Sequence, residues 1–209
     1  MMRWDFMVTG LAVLGIAMPA AAQEHPPIRP TRDVTVSYHE VGGAADHAMT
    51  MYFSATGRRL RIEPAGKPMA MIADRDAHKN FVVMNEQHAY LEMPYDPKRA
   101  EAFEHPEGTL TRVGTDTVAG LACTVYNAHG THGDARICLT NDGVMLRATG
   151  ADGPQSQRSL EAVKVTYGAL PDSLFQPPAG FQKMDMGHMP MRGGAGMPPG
   201  MPGGAPPAH

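Results

Sequence analysis

The sequence predicts a mainly β protein: a curved antiparallel meander, a half-barrel or incomplete barrel, with one short helix. Three observations predict it. Apolar residues recur with period two between Asp33 and Phe181. Turn residues rich in Gly, Pro and Asp punctuate those runs. Only one stretch, Pro97 to Glu104, reads as a helix.

Taken in order, Val34, Val36 and Tyr38 alternate with Thr35, Ser37 and His39, which is a half-buried strand. Met49, Met51 and Phe53 share one face of the next, and Ser54 to Gly57 turns the chain. Leu60 and Ile62 lie in a third strand, closed by a turn at Pro64 to Gly66. Met69 to Ile72 follows, then the polar turn Asp74-Arg75-Asp76. Phe81 to Met84 and Tyr90 to Met93 form a hairpin around Glu86-Gln87. The helix has Pro97 near its start and Lys98, Arg99, Ala100, Glu101 and Ala102 as good helix formers. Further strands are expected near Leu110 to Thr115, Ala122 to Ala128, Ala135 to Leu139, Val144 to Thr149 and Ser159 to Tyr167, before a closing turn at Pro171 to Phe175. A sheet of about ten sequential strands is too large for one short helix to cover, so it must curl around its own interior. A two-sheet sandwich meets the same burial requirement.

The 209 residues are 43% hydrophobic and 19% charged with net charge -3, which fits one domain with extensions. No basic cluster is present, so neither nucleic acid nor an anionic membrane is an expected partner. Residues 1–22 have the form of a signal peptide: Arg3, the apolar run Phe6 to Met18, and the small residues Ala20 to Ala22. No later run is long enough to span a membrane, and Cys123, the first cysteine, is too far along to be a lipid-modified N-terminus. The expected location is the periplasm or the exterior. Residues 23–32 are an N-terminal extension, 33–181 the β-domain, and 182–209 a disordered tail, with 7 Gly, 6 Pro and 6 Met in 28 residues.

Cys123 and Cys138 are the only cysteines, and export favours a disulfide between them. A hairpin turning on Gly130-Thr131 sets them directly opposite each other. The alternative, a redox or metal-binding thiol pair, lacks Cys-x-x-Cys spacing.

Several phrases coincide in order: Asp74-Arg75-Asp76 before Phe81-Val82-Val83-Met84; Tyr90-Leu91-Glu92-Met93-Pro94; Val118-Ala119-Gly120-Leu121-Ala122-Cys123; Cys138-Leu139-Thr140-Asn141-Asp142-Gly143-Val144; and Leu174-Phe175-Gln176-Pro177-Pro178-Ala179-Gly180-Phe181. Together they resemble an uncharacterised family of bacterial periplasmic domains, related in fold to the periplasmic lipoprotein-sorting carrier. The resemblance covers about Asp33 to Met184. It implies a curved sheet with a helix near its open side and a hydrophobic concavity able to hold a lipid chain, and it implies no catalytic residues. Within that frame Met49/Met51 and Met69/Met71 are the candidate ligand contacts, because each i, i+2 pair projects to one sheet face and thioethers adapt to irregular apolar shapes. The same residues also serve as ordinary core fillers.

No Gly-x-Ser-x-Gly elbow, phosphate-binding Gly-rich loop or His-Glu-x-x-His motif is present, so an enzyme is not expected. Asp74, Asp76 and His78 read as a solvated turn, and His129, His132 and Asp134 as a tight turn with incidental ligand types. No resident cofactor is expected, and copper is the one candidate metal. Met184, Met186, His188, Met189 and Met191 crowd thioethers and an imidazole into a flexible segment, a donor set suited to Cu(I). Cleavage after Ala22 exposes Gln23-Glu24-His25, whose amine, amides and imidazole can form a square plane for Cu(II), although an N-terminal glutamine cyclises readily and removes the amine. The leading expectation is an exported, non-enzymatic protein holding an apolar ligand such as a lipid or a lipid-linked protein. The alternatives are a copper-binding protein working through its tail, and a structural or partner-binding module.

Overall fold

The period-two runs become strands in a computed structural model that describes residues 27–42, 47–56, 58–98, 108–130, 133–150 and 159–185. The first six are β1 (Val34–Val41), β2 (His47–Phe53), β3 (Arg59–Pro64), β4 (Met69–Asp74), β5 (Lys79–Met84) and β6 (Ala89–Met93). The second group is β7 (Gly108–Val118), β8 (Leu121–Gly130), β9 (Gly133–Leu139), β10 (Met145–Gly150) and β11 (Ser159–Tyr167). Among the described residues a 3₁₀ turn, Asp172–Phe175, precedes a short strand, β12 (Gln182–Met184). Of the expected helix, Pro97 and Lys98 are helical, and Arg99 to Glu104 lie outside the described residues.

All twelve strands belong to one open sheet, which excludes the two-sheet sandwich. The order is not a plain run from first to last. Two antiparallel meanders, β1–β6 and β7–β11, are joined by pairing β1 to β11, and β12 adds parallel to β6. β6 and β7, consecutive in sequence, therefore sit ten strand positions apart. In a flat sheet that separation is about 48 Å, and the fourteen residues 94–107 reach about 46–50 Å fully extended. A flat sheet would need nearly the full extension of that connection; β7 packs against β11, so the sheet curls.

The register fixes which side chains share a face. Val34, Val36 and Tyr38 pair with Phe53, Met51 and Met49, and these pair with Leu60, Ile62 and Pro64. Directly paired residues project to the same side, so these nine define one face of the sheet. There Val34, Val36 and Tyr38 are buried with Val118, Cys123, Cys138, Val144, Leu146 and Ala162. The Tyr38 hydroxyl donates to the Met145 carbonyl at 2.7 Å, and burial pushes its pKa well above the ordinary phenol value. On the opposite face, Ala70, Ile72, Phe81 and Val83 are covered by Phe175 from the 3₁₀ turn. Arg61, buried on this side, donates to the Leu174 carbonyl and to Glu63, and Arg59 reaches Asp172 at 2.7 Å. Asp33 ties the layers together by accepting from the backbone N–H groups of Ala55 and Leu170.

Two expectations need correction. Cys123 and Cys138 are bonded, with Cα atoms 5.5 Å apart, but they are not directly opposed. Gly130 pairs with Gly133, so the ladder turns on Thr131-His132, and Cys138 faces Val125. The bridge runs diagonally, and Cys123 lies just beyond the last paired residue, Thr124. The cause is Gly133, whose φ of 104° suits the chain's return there. The second correction concerns Gln182–Met184, which composition assigned to the tail. Gly180, at φ 83°, reverses the chain so that these three residues pair with the open edge of β6, where Lys183 bonds Glu92 at 2.6 Å.

Candidate functional site

The face that carries Val34, Val36 and Tyr38 continues across β4, β5 and β6. Met71 pairs with Ile62 and with Val82, Val82 with Leu91, and Leu91 with Met184. One row therefore reads Val36, Met51, Ile62, Met71, Val82, Leu91, Met184 across seven strands. A second row begins Tyr38, Met49, Pro64 and resumes with Met69, Met84 and Ala89. The first row is apolar throughout; the second begins at the Tyr38 phenol and meets Gln182 on β12 beyond Ala89. The four methionines expected as ligand contacts all lie on this one face. The pairing also recruits Met84 and Met184.

Burial divides the four methionines. Met49 and Met51 pack against the buried core, Met69 is half-buried, and Met71 is 41% exposed. Where Ala70, Ile72 and Val83 on the opposite face are almost fully buried, Met71 leaves its thioether at the surface. Met71 is flanked in its row by the half-buried Ile62 and Val82, so the apolar row reaches solvent at this one position.

At the rim, where β2 begins and β3 ends, a groove of about 380 Å³ opens, lined by Met49 and Met69 together with His39, Thr50, Glu63 and Lys67. Of the polar groups, Glu63 is held by Arg61 at 2.7 Å and by the Tyr52 hydroxyl at 3.1 Å. Burial, together with that carboxylate, raises the pKa of the Tyr52 phenol, which keeps it a neutral donor. The groove draws on both sides of the sheet edge: Met49 and Pro64 belong to the methionine face, whereas the directly paired Thr50 and Glu63 project to the other.

A second cleft, also about 380 Å³, lies at the β6–β12 edge and is lined by His78, Glu92, Met93, Tyr95, Met184 and Asp185, among others. Of the residues expected to hold metal, only Met184 is described; Met186, His188, Met189 and Met191 lie outside the described residues, as do Gln23-Glu24-His25 and His132. His129 pairs with Asp134 through Nδ1 at 2.9 Å across the β8–β9 hairpin. Asp76 pairs with Arg58, and Asp74 accepts from the Ala77 N–H at 2.9 Å, so both carboxylates serve the β4–β5 turn. Among the described residues no three His, Cys, Asp or Glu side chains gather into a metal site. Sequence reasoning found the i, i+2 methionine pairs but missed Met84 and Met93, whose place on the same face depends on cross-strand register.

The chain is similar to several solved structures. An uncharacterised conserved protein from Thermus thermophilus aligns over 74% of this chain and 90% of its own, with TM-score 0.54 and 11% identity, and shares the fold. The MucA/MucB complex of Pseudomonas aeruginosa aligns over 68% of this chain and 54% of that one, with TM-score 0.50 and 13% identity. A LolA superfamily protein from Nitrosomonas europaea aligns over 71% and 92%, with TM-score 0.34 and 10% identity. No curated protein sequence matches the chain. Residues 39–161, more than half of the chain, match the family model described as a domain of unknown function, DUF4412, and the chain belongs to that family.

Proposed function

We propose that this protein is an exported, non-enzymatic binding protein that holds an apolar or amphipathic ligand, such as an acyl chain or a lipid-linked protein, against the methionine-bearing face of β1–β6. The observation that carries the reading is the row Met51, Ile62, Met71, Val82, Leu91, Met184, an apolar track crossing the sheet and reaching solvent at Met71. Unbranched thioethers along such a track fit a flexible hydrocarbon better than a rigid ligand. Lys67, at the rim groove beside Met49 and Met69, supplies a cation for an anionic headgroup. Export rests on residues 1–22 and agrees with the disulfide. The fold shared with the MucB-containing complex supports a binding role, since the similar chain there is bound to a protein partner. Native mass spectrometry of the protein purified from the periplasm tests the reading. Retained species with acyl-chain masses support it, and a chain that carries no ligand and takes up no added fatty acid refutes it.

A further inference from the structure

We propose that His78, Met93 and Met184 form a Cu(I)-binding site at the β6–β12 edge, where the acyl track ends at Met184. The three side chains line one cleft of about 380 Å³. They converge from three segments for reasons set by the backbone. Met184 pairs with Leu91 in the parallel ladder, and Met93 is two residues farther along β6, so both thioethers emerge on the same face. His78 closes the β4–β5 turn in the left-handed region, at φ 54°, where a non-glycine residue is costly. Its ring stacks on Tyr95 with centroids 4.9 Å apart, which holds the imidazole beside the end of β6.

The donor set selects the ion. Glu92, the nearest carboxylate on β6, is tied to Lys183 at 2.6 Å, leaving Asp185 as the other carboxylate in the cleft. Asp185 lies within electrostatic reach of the Lys183 ammonium, which also lines the cleft; beside these charges the cleft offers two neutral, soft thioethers and one imidazole, a combination that favours Cu(I) over Zn(II), which prefers thiolate, imidazole and carboxylate. Packing does not explain Met93, which is 37% exposed at the sheet edge. In sequence, Met184 is followed closely by Met186, His188, Met189 and Met191, donors of the same soft type.

The test uses the full-length chain with Met186, Met189, Met191, Met197 and Met201 changed to Leu and His188 changed to Ala. This chain is titrated anaerobically with Cu(I) against a chromogenic chelator. It is expected to retain a single Cu(I) equivalent, with thioether sulfur and imidazole nitrogen in the X-ray absorption spectrum. Adding Met93→Leu and Met184→Leu, which conserve apolar volume, should weaken binding about a hundredfold or more, because even the loss of an outer-shell partner costs about 10- to 100-fold. His78→Ala, at a residue outside the acyl track, should weaken Cu(I) binding about tenfold or more while acyl-probe binding persists, so failure of this site and failure of the acyl reading are distinguishable. Loss of Cu(I) on changing the tail alone, or unchanged affinity after Met93→Leu and Met184→Leu, overturns the proposal.

Discussion

Met51 and Met71 stand in the same cross-strand row with only Ile62 between them, yet Met51 packs into the core and Met71 is 41% exposed. The two positions therefore separate stability from binding. Met51→Asp places a carboxylate against Val36 and should cost about 2–4 kcal/mol in urea denaturation. Met71→Asp should stay within about 1 kcal/mol of wild type, as surface changes do, while removing acyl-probe binding. Equal stability losses at both sites would contradict the division.

The diagonal bridge between Cys123 and Cys138 closes a loop of fifteen residues. Replacing both with Ser should lower stability by about 3 kcal/mol in the chain-entropy account. Intact mass under denaturing conditions should be two hydrogens lighter than the reduced chain, and alkylation should label neither cysteine. Acyl binding should survive the replacement at temperatures where the variant stays folded.

Asp142 fastens residues 27–33 to the β9–β10 turn. It accepts from both Arg32 guanidinium donors, from the Thr140 hydroxyl at 2.6 Å and from the Tyr167 hydroxyl at 3.2 Å. Partial burial alone would raise its pKa, but the bonds from Thr140, Arg32 and Tyr167 outweigh that and hold it below the usual carboxylate value. A depressed folded-state pKa contributes stability that is complete above the unfolded value near 4 and is lost as pH falls through the folded value. Asp142→Asn should therefore be less stable than wild type at pH 7, and the gap should narrow below about pH 4. A gap that is constant across that range would contradict the linkage.

Gly143 adopts φ +85°, and a Cβ there would lie 1.9 Å from the Arg29 carbonyl oxygen. Backbone has to shift to accommodate it. Gly143→Ala should cost about 1–3 kcal/mol and expose the amide of Thr31, which donates to the Asp142 carbonyl at 2.9 Å, to faster hydrogen exchange.

Local pattern carried the strands, because period-two alternation is a property of neighbouring residues: Val34, Val36 and Tyr38 are buried and Thr35, Ser37 and His39 face away. What it could not carry was long-range pairing. The β1–β11 junction joins residues more than a hundred positions apart, and no turn chemistry reports it. The same limit applies to the site. The pairs Met49/Met51 and Met69/Met71 were legible within single strands, whereas their union with Met84 and Met184 on one face follows only from register. The cysteine pairing was legible from composition and compartment. Its diagonal geometry was not, because a turn on Gly130-Thr131 and one shifted along by a single residue look alike in composition, and only the ladder, which pairs Gly130 with Gly133, separates them.

The central claim is that an apolar chain lies on the methionine face, and it is tested most directly by titrating the full-length protein with displaceable fluorescent acyl probes of increasing chain length. Each methylene removed from water contributes about 0.8 kcal/mol at most, so affinity should rise with chain length by up to about fourfold per carbon. Met71→Asp should abolish the rise without unfolding the protein. Saturable, chain-length-dependent binding lost in Met71→Asp is the predicted result; affinity independent of chain length, or unchanged by Met71→Asp, would contradict it.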